Sequence, residues 1–296
     1  MSLPASQTTV PHAVSSPWRE IAVALVQTRS DALAIEFAGA VARQFDARLQ
    51  VLQLMVMPAP MIDAWAMIPD PSFPQIYDDL RESARAAADS TRKTLAGLGV
   101  PGDVRTLEAL CVEPASLAAG AARSSDLVVL ARPEDGQADV AIAHTYFSAL
   151  LHESGRPIVV VPPNDLQPYP PRRALVAWSD TPEAARALRE ALPLLEGCER
   201  VNVLLVDPVA NALEAREDRG SGALGYLRRH GIAAHLDTCK SRGRSIGESI
   251  LAHAQHVSAE LIVAGGYGHG KVREWVIGGT TRDLFFQARV PVLFAH

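Results

Sequence analysis

The chain has 296 residues, a length that suits two domains of common size, and its interspersed charges sum to −5. No basic stripe therefore indicates binding to nucleic acid. The three cysteines lack the C-x-x-C spacing of a zinc site, and no apolar run reaches the roughly 18 residues of a membrane span. We expect a soluble cytoplasmic protein with no membrane segment, metal centre or disulfide framework.

The first half alternates predicted strands and helices after a short lead. Residues 1–18 lack the cationic start and apolar core of a signal peptide, and they predict a disordered lead. The predicted elements, in chain order and beginning with a strand, are 20–26, 30–45, 49–56, 75–96, 104–109, 114–123, 127–131, 141–153 and 157–161. Strict alternation of this kind indicates βαβ units and a parallel sheet.

Two proline-rich segments interrupt the alternation. Segment 57–74 has five prolines among apolar side chains such as Trp65, so we expect it to be irregular and to fold back onto an apolar surface. Segment 164–172 is typical of an extended, semi-rigid linker. The sequence thus predicts one domain at 19–163 and a second at 173–296.

The second half repeats the first. Its predicted elements, again beginning with a strand, are 174–178, 182–195, 201–206, 211–230, 234–239, 245–255, 261–265, 283–288 and 291–294. The residues that correspond between the halves are Val23 with Val176, Val51 with Val203, Gly99 with Gly231 and Pro157 with Pro291. The offset changes once, between the second and third strands, so segment 57–74 is an insertion in the first half. Each half is predicted to be an α/β, doubly wound, five-stranded parallel sheet of order 3-2-1-4-5. The ligand crevice of such a sheet lies at the carboxyl ends of strands one and four.

A glycine-rich loop follows the predicted strand 261–265. Gly265 and Gly268 tolerate positive φ and allow the backbone to approach a ligand closely. After Gly278, Thr280 or Thr281 is a natural N-cap for the next helix, whose free N–H groups then point at the same space. Exposed amides at the positive end of a helix dipole favour an anion. The alternative interpretation is that these glycines only make tight strand-to-helix turns.

The spacing Gly265-x2-Gly268-x9-Gly278 resembles the ATP-loop signature G-x2-G-x9-G of the universal stress protein family. The whole architecture is similar to the tandem two-domain type of that family, with Rossmann-like domains of the nucleotide-binding alpha-hydrolase-like kind. The resemblance implies an ATP site, with magnesium, in the second half. The residues that it assigns to the nucleotide are Trp178, Ser179, Asp180, Val206, Gly265, Gly268, His269, Gly278, Gly279, Thr280 and Thr281.

Two residues of this site depart from the family pattern. Ser179 stands at the end of the first strand, where nucleotide-binding members usually carry Asp, and Asp180 follows one place later. Gly279 stands where the pattern has Ser or Thr. The first half lacks the motif, because Val26 replaces the acid and Pro133 and Glu134 follow its fourth strand, so we expect it to repel phosphate.

No catalytic constellation is present in the sequence: it has no nucleophile elbow, Walker lysine or H-E-x-x-H motif. His253 and His256 are close enough on a helix to share a metal, but without a third ligand a solvated face is favoured. The resemblance therefore implies a non-catalytic stress-response protein with a nucleotide site. The alternatives are an interaction or small apolar-ligand module without nucleotide, and a slow ATP hydrolase, which the absence of an evident general base disfavours.

The last predicted strand of each half, 157–161 and 291–294, should lie at a sheet edge. An unpaired apolar edge promotes aggregation and is normally covered. We expect the two edges to pair within one chain, giving an intramolecular pseudo-dimer, while any homodimer would use other surfaces.

Overall fold

The computed structural model describes residues 18–59, 73–134, 139–163, 169–207, 213–266 and 279–296, with side chains described for all of these except 213–219. Strands and helices alternate through these ranges. The strands are β1 Glu20–Ala24, β2 Arg48–Met57, β3 Gly102–Leu110, β4 Leu127–Ala131, β5 Ile158–Val161, β6 Arg173–Ala177, β7 Arg200–Val206, β8 Ala234–Cys239, β9 Leu261–Gly265 and β10 Val292–Ala295. The helices are α1 Asp31–Phe45, α2 Phe73–Leu98, α3 Pro114–Ala122, α4 Asp139–Glu153, α5 Pro182–Leu195, α6 Leu213–Arg229, α7 Ile246–His256 and α8 Gly279–Gln287.

The strands form one continuous sheet in the order β3-β2-β1-β4-β5-β10-β9-β6-β7-β8. Each half contributes five parallel strands in the predicted order, so the doubly wound α/β fold is confirmed. The halves meet where β10 runs antiparallel to β5, with Val292 opposite Val160 and Phe294 opposite Ile158. The predicted pairing of the two last strands within one chain is therefore also confirmed.

The internal repeat appears in the register of the sheet. Val23 pairs with Val51 in the first half, and their counterparts Val176 and Val203 pair in the second half. The same correspondence holds for the positive-φ glycines that follow the second helix of each half, Gly99 and Gly231. Both glycines let the chain turn out of a helix in the left-handed region.

The core lies on both faces of the sheet. The central strands β1, β4, β5, β9 and β10 are buried along almost their whole length, as strands covered by helices on both faces must be. An aromatic cluster on one face joins the halves, since Phe147 of α4 lies 4.8 Å from Phe285 of α8 and 5.0 Å from Phe294 of β10 between ring centroids. All three rings are almost completely buried. The two halves therefore share a core as well as a sheet.

The ends of three irregular segments differ from the prediction. Trp18, expected in a disordered lead, is 4% exposed, and its ring packs edge-on against Phe45 with 5.0 Å between centroids. Burial of a large indole ring stabilises this position. Met57 belongs to β2 and Phe73 to α2, so the two ends of the segment predicted to be irregular have regular structure. Tyr169, expected in a free linker, contacts the ring of Phe37 at 5.4 Å. The remaining parts of these predictions, 1–17, 60–72 and 164–168, lie outside the described residues.

Within the described parts of the chain, no helix combines the length and the apolarity that crossing a bilayer requires.

Candidate functional site

A cavity of about 380 Å³ opens at the carboxyl ends of β6, β7 and β9 in the second half. This is the crevice that the strand order predicts. The amino ends of three helices, α5, α7 and α8, contribute to its wall. Each amino end carries backbone N–H groups without partners in its own helix and the positive end of a dipole. Parts of the cavity wall therefore favour an anion.

The α5 wall is built by a capped helix start. The Thr181 hydroxyl accepts a hydrogen bond from the backbone N–H of Ala184 at 3.3 Å, and Pro182 occupies the first helical position. The hydroxyl of Ser179 lies 3.4 Å from that of Thr181. Both residues line the cavity, together with the carboxylate-bearing Glu183. This wall therefore offers two hydroxyls and one carboxylate.

Gly265 is placed by packing against the same helix. A methyl group built on Gly265 would lie 2.6 Å from the backbone nitrogen of Ala184 and 2.8 Å from the carbonyl carbon of Glu183. Real Cβ atoms essentially never come so close to backbone, so only glycine allows β9 to end against α5. For this residue the tight-turn interpretation is sufficient, whether or not a ligand binds.

The α8 wall differs from the prediction in one detail. Helix α8 begins at Gly279, so Thr280 and Thr281 lie inside its first turn and neither is the N-cap. The reason is packing, because Thr281 is 3% exposed and its side chain belongs to the buried face of the helix. Gly279, Thr280 and Thr281 all line the cavity. They stay at the amino end of the helix, where an anion would meet them.

The opposite wall is apolar. Val206 and Leu204 from β7 and Ile246 and Ile250 from α7 line it. Ile246 is 49% exposed, a large apolar side chain left open to the cavity. The sequence analysis named Val206 but missed both isoleucines, although their i, i+4 spacing at the start of a helix puts them on one face. A flat apolar ring fits this wall better than a phosphate does.

The other predicted site residues fall into two groups. Trp178 and Ser179 line the cavity, whereas Asp180 is exposed and is not among the lining residues. Asp180 is thus badly placed to replace the Asp that family members usually carry at position 179. The predicted contacts Gly268, His269 and Gly278 lie outside the described residues.

At the corresponding place in the first half, two charged side chains bind groups of the protein itself. The Asp31 carboxylate accepts hydrogen bonds from the backbone N–H groups of Val26 and Thr28, each at 3.2 Å, and burial raises the pKa of this carboxyl. At the end of β4, Arg132 is 3% exposed and donates to the carbonyl of Ala288 in the other half at 3.3 Å. The residue of the second half that corresponds to Asp31 is Ala184, since each lies eight places after the matching valine, Val23 or Val176. Ala184 has no carboxylate to accept hydrogen bonds from the corresponding backbone N–H groups.

The histidine pair on α7 is not simply solvated, contrary to the sequence-based interpretation. His253 Nε2 lies 2.8 Å from Asp237 Oδ2, and the same oxygen accepts from the side-chain amide of Asn202 at 2.6 Å. His253 reaches back to the sheet because it is on the inner side of α7, whereas His256 is exposed. Across the described ranges, no group of three His, Cys, Asp or Glu side chains is arranged to hold a metal ion.

Comparison with a family model settles the relationship of the second half. The model that matches is described as the universal stress protein family, and the match spans residues 171–296. The C-terminal half of the chain belongs to the universal stress protein family. The cavity lies entirely within this universal stress protein domain. A search of curated proteins gives no match to the chain.

Two solved structures resemble nearly the whole chain in fold. A universal stress protein from Archaeoglobus fulgidus DSM 4304 is 16% identical, with a TM-score of 0.73 over 93% of this chain and 95% of the other. A functionally unknown protein from Pseudomonas aeruginosa PAO1 is also 16% identical, with a TM-score of 0.60 over 95% of this chain and 93% of the other. Both likenesses concern the fold, and they show that the arrangement of both halves occurs in other proteins.

Proposed function

We propose that the chain is a cytoplasmic, non-catalytic stress-response protein whose C-terminal half binds an adenine nucleotide, ATP with magnesium. The observation that supports this best is the division of the cavity into two sides. One side presents helix amino ends and the hydroxyls of Ser179, Thr181 and Thr280, while the other is apolar around Val206 and Ile250. Phosphates suit the first side and a planar base suits the second.

The cavity also fits the nucleotide in size and charge. About 380 Å³ is within the usual range of roughly 300–1,000 Å³ for small-molecule sites. Glu183 is the only carboxylate among the described lining residues. A carboxylate repels bare phosphate but is a hard oxygen ligand of the kind that magnesium takes alongside phosphate oxygens. The proposal therefore expects MgATP to bind better than ATP alone.

Calorimetric titration of ATP, with and without magnesium, tests this proposal. Ser179→Trp places a large ring at the exposed mouth of the cavity and should abolish the heat of binding. Ser90→Trp makes the same change at an exposed position of α2 in the first half and should bind like the wild type. An absence of binding by the wild-type chain at millimolar MgATP would overturn the proposal. Recovery of intact ATP after incubation with the protein is expected for a non-catalytic site, and its steady conversion to ADP would favour the hydrolase instead.

A second candidate, a module for a small apolar ligand, is favoured by one surface of the first half. Val56, Leu110 and Val112 are 59%, 44% and 54% exposed at the carboxyl ends of the paired strands β2 and β3. Large apolar side chains left exposed at one end of a sheet commonly mark a binding surface. Binding of an apolar fluorescent dye that is lost in Val56→Ser/Val112→Ser, but retained in Ile142→Ser on α4, would support this function. Equal dye binding by all three proteins would argue against it.

A further inference from the structure

A second and larger cavity, of about 590 Å³, opens between the carboxyl end of β8 and helix α7. Five of its lining side chains are cationic or can become so: Lys240, Arg242, Arg244, His253 and His256. Helix α7 contributes to both cavities, but the basic cavity and the crevice described above share no lining residue. The basic cavity is thus a separate feature of the same domain.

A tight turn presents the two arginines. The backbone N–H of Arg244 donates to the carbonyl of Ser241 at 3.1 Å, with φ of 51° at Arg242 and 86° at Gly243. Positive φ at both central residues is the pattern of a type I′ turn, and it is an uncommon conformation for a side chain as large as arginine. Strained residues of this kind tend to occur where they serve a ligand. Lys240, Arg242 and Arg244 alternate along the chain, so the turn concentrates three cations at one side of the cavity.

Two carboxylates, Asp207 and Asp237, hold residues that line the cavity in place. Asp207 accepts a hydrogen bond from the backbone N–H of Ser241 at 3.0 Å, and hydrogen bonding to Ser241 lowers the pKa of this carboxyl. It therefore stays ionised and anchors the turn. Asp237 holds Nε2 of His253 at 2.8 Å and is itself held by Asn202, which is 1% exposed. These hydrogen bonds orient the imidazole, and its Nδ1 donates to an anionic ligand only when the ring is protonated.

We propose that this cavity binds a small molecule carrying two or more phosphate groups. Arginine forks match phosphate oxygens in paired hydrogen bonds, and they do so better than an ammonium group can. A single phosphate is too small to meet the arginine turn and the histidines of α7 together in a cavity of this volume. The proposal does not depend on nucleotide binding in the crevice.

Titration of the full-length chain with sodium tripolyphosphate at low salt tests the proposal. The wild type should give a saturable heat, and its affinity should fall as salt screens the exposed charges. The variant Arg242→Gln/Arg244→Gln should lose about tenfold or more in affinity, because it removes the two strongest phosphate partners. The control Arg228→Gln/Arg229→Gln removes the same charge from exposed positions of α6 and should bind within about twofold of the wild type.

Three outcomes would overturn the proposal. The first is a wild-type chain that gives no saturable heat at millimolar tripolyphosphate. The second is equal loss of affinity in both double variants, which would mean that only net charge matters. The third is loss of binding in Ser179→Trp, which would place tripolyphosphate in the crevice; the proposal expects this variant to bind like the wild type. Far-ultraviolet circular dichroism of each variant confirms that these exposed changes leave the fold intact.

Discussion

Replacement of Gly265 by alanine should destabilise the protein even without a ligand. The new methyl carbon would lie 2.6 Å from the backbone nitrogen of Ala184, whereas ordinary van der Waals contact begins at 3.4 Å. The overlap of about 0.8 Å falls on backbone atoms, so a rotamer change cannot relieve it, and the start of α5 must move away from β9. Overpacking of this kind costs about 1–3 kcal/mol. Reduced freedom of the unfolded chain offsets about 0.4–1 kcal/mol of that loss.

Gly279→Ala is the matched control, because it lines the same cavity. A methyl group built on Gly279 has no atom within 4 Å, and the residue begins helix α8, where alanine is favoured over glycine. This variant should be as stable as the wild type or more stable by up to about 1 kcal/mol. Urea unfolding followed by circular dichroism measures both changes. The reasoning is refuted if Gly265→Ala leaves the free energy of unfolding unchanged, or if Gly279→Ala lowers it by as much.

Three further predictions concern the seam between the halves. Phe147→Ala empties the centre of the aromatic cluster and should lower the free energy of unfolding by about 3–5 kcal/mol. Ile142 is 49% exposed on the same helix, so Ile142→Ala should lower it by less than about 1 kcal/mol. Similar losses in the two variants would contradict the shared core. Burial, with a smaller contribution from Arg282, lowers the pKa of His144 below its usual 6.5. The unfolded chain therefore binds the proton more readily than the native state, and the native state loses stability as pH falls below 6.5. His144→Phe should lose less stability on acidification than the wild type in urea titrations at several pH values. This variant also removes a buried Nε2 that has no hydrogen-bond partner among the described residues. Equal losses of stability in the two proteins would contradict the prediction. Arg132→Met removes the donor to a carbonyl of the other half and should cost about 1–3 kcal/mol in the same assay, whereas an unchanged free energy would show that this bond is dispensable.

Regular elements were the easiest part of the fold to predict from sequence. Leu261–Gly265 and Pro182–Leu195 have the predicted bounds, because a short apolar run between turn residues and a Thr-Pro helix start are local signals. The pairing of β5 with β10 was also predictable, since it follows from strand order and from the need to cover two apolar edges. These inferences required no knowledge of side-chain packing.

The features that the sequence concealed depend on tertiary contacts. Trp18 lies in a polar lead, and only its contact with Phe45 explains why it is buried. Ile250 is buried and also lines the crevice. Its contact with the crevice depends on the packing of α7 against the sheet, which no local sequence pattern specifies. Arginine is usually a surface residue, yet Arg132 is buried where it donates to the carbonyl of Ala288 in the other half of the chain. Side-chain contacts between the halves, unlike the pairing of β5 with β10, cannot be derived from the sequence of either half alone.

A crystal structure of the protein grown with saturating ATP and magnesium tests the central claim most directly. The account predicts one nucleotide in the second half, with its base against Val206 and Ile250 and its phosphates at the amino end of α8 near Thr280. It also predicts no nucleotide in the first half, where the Asp31 carboxylate accepts from the backbone N–H groups of Val26 and Thr28. A crevice without nucleotide under these conditions, or a nucleotide bound only elsewhere on the chain, would contradict the account.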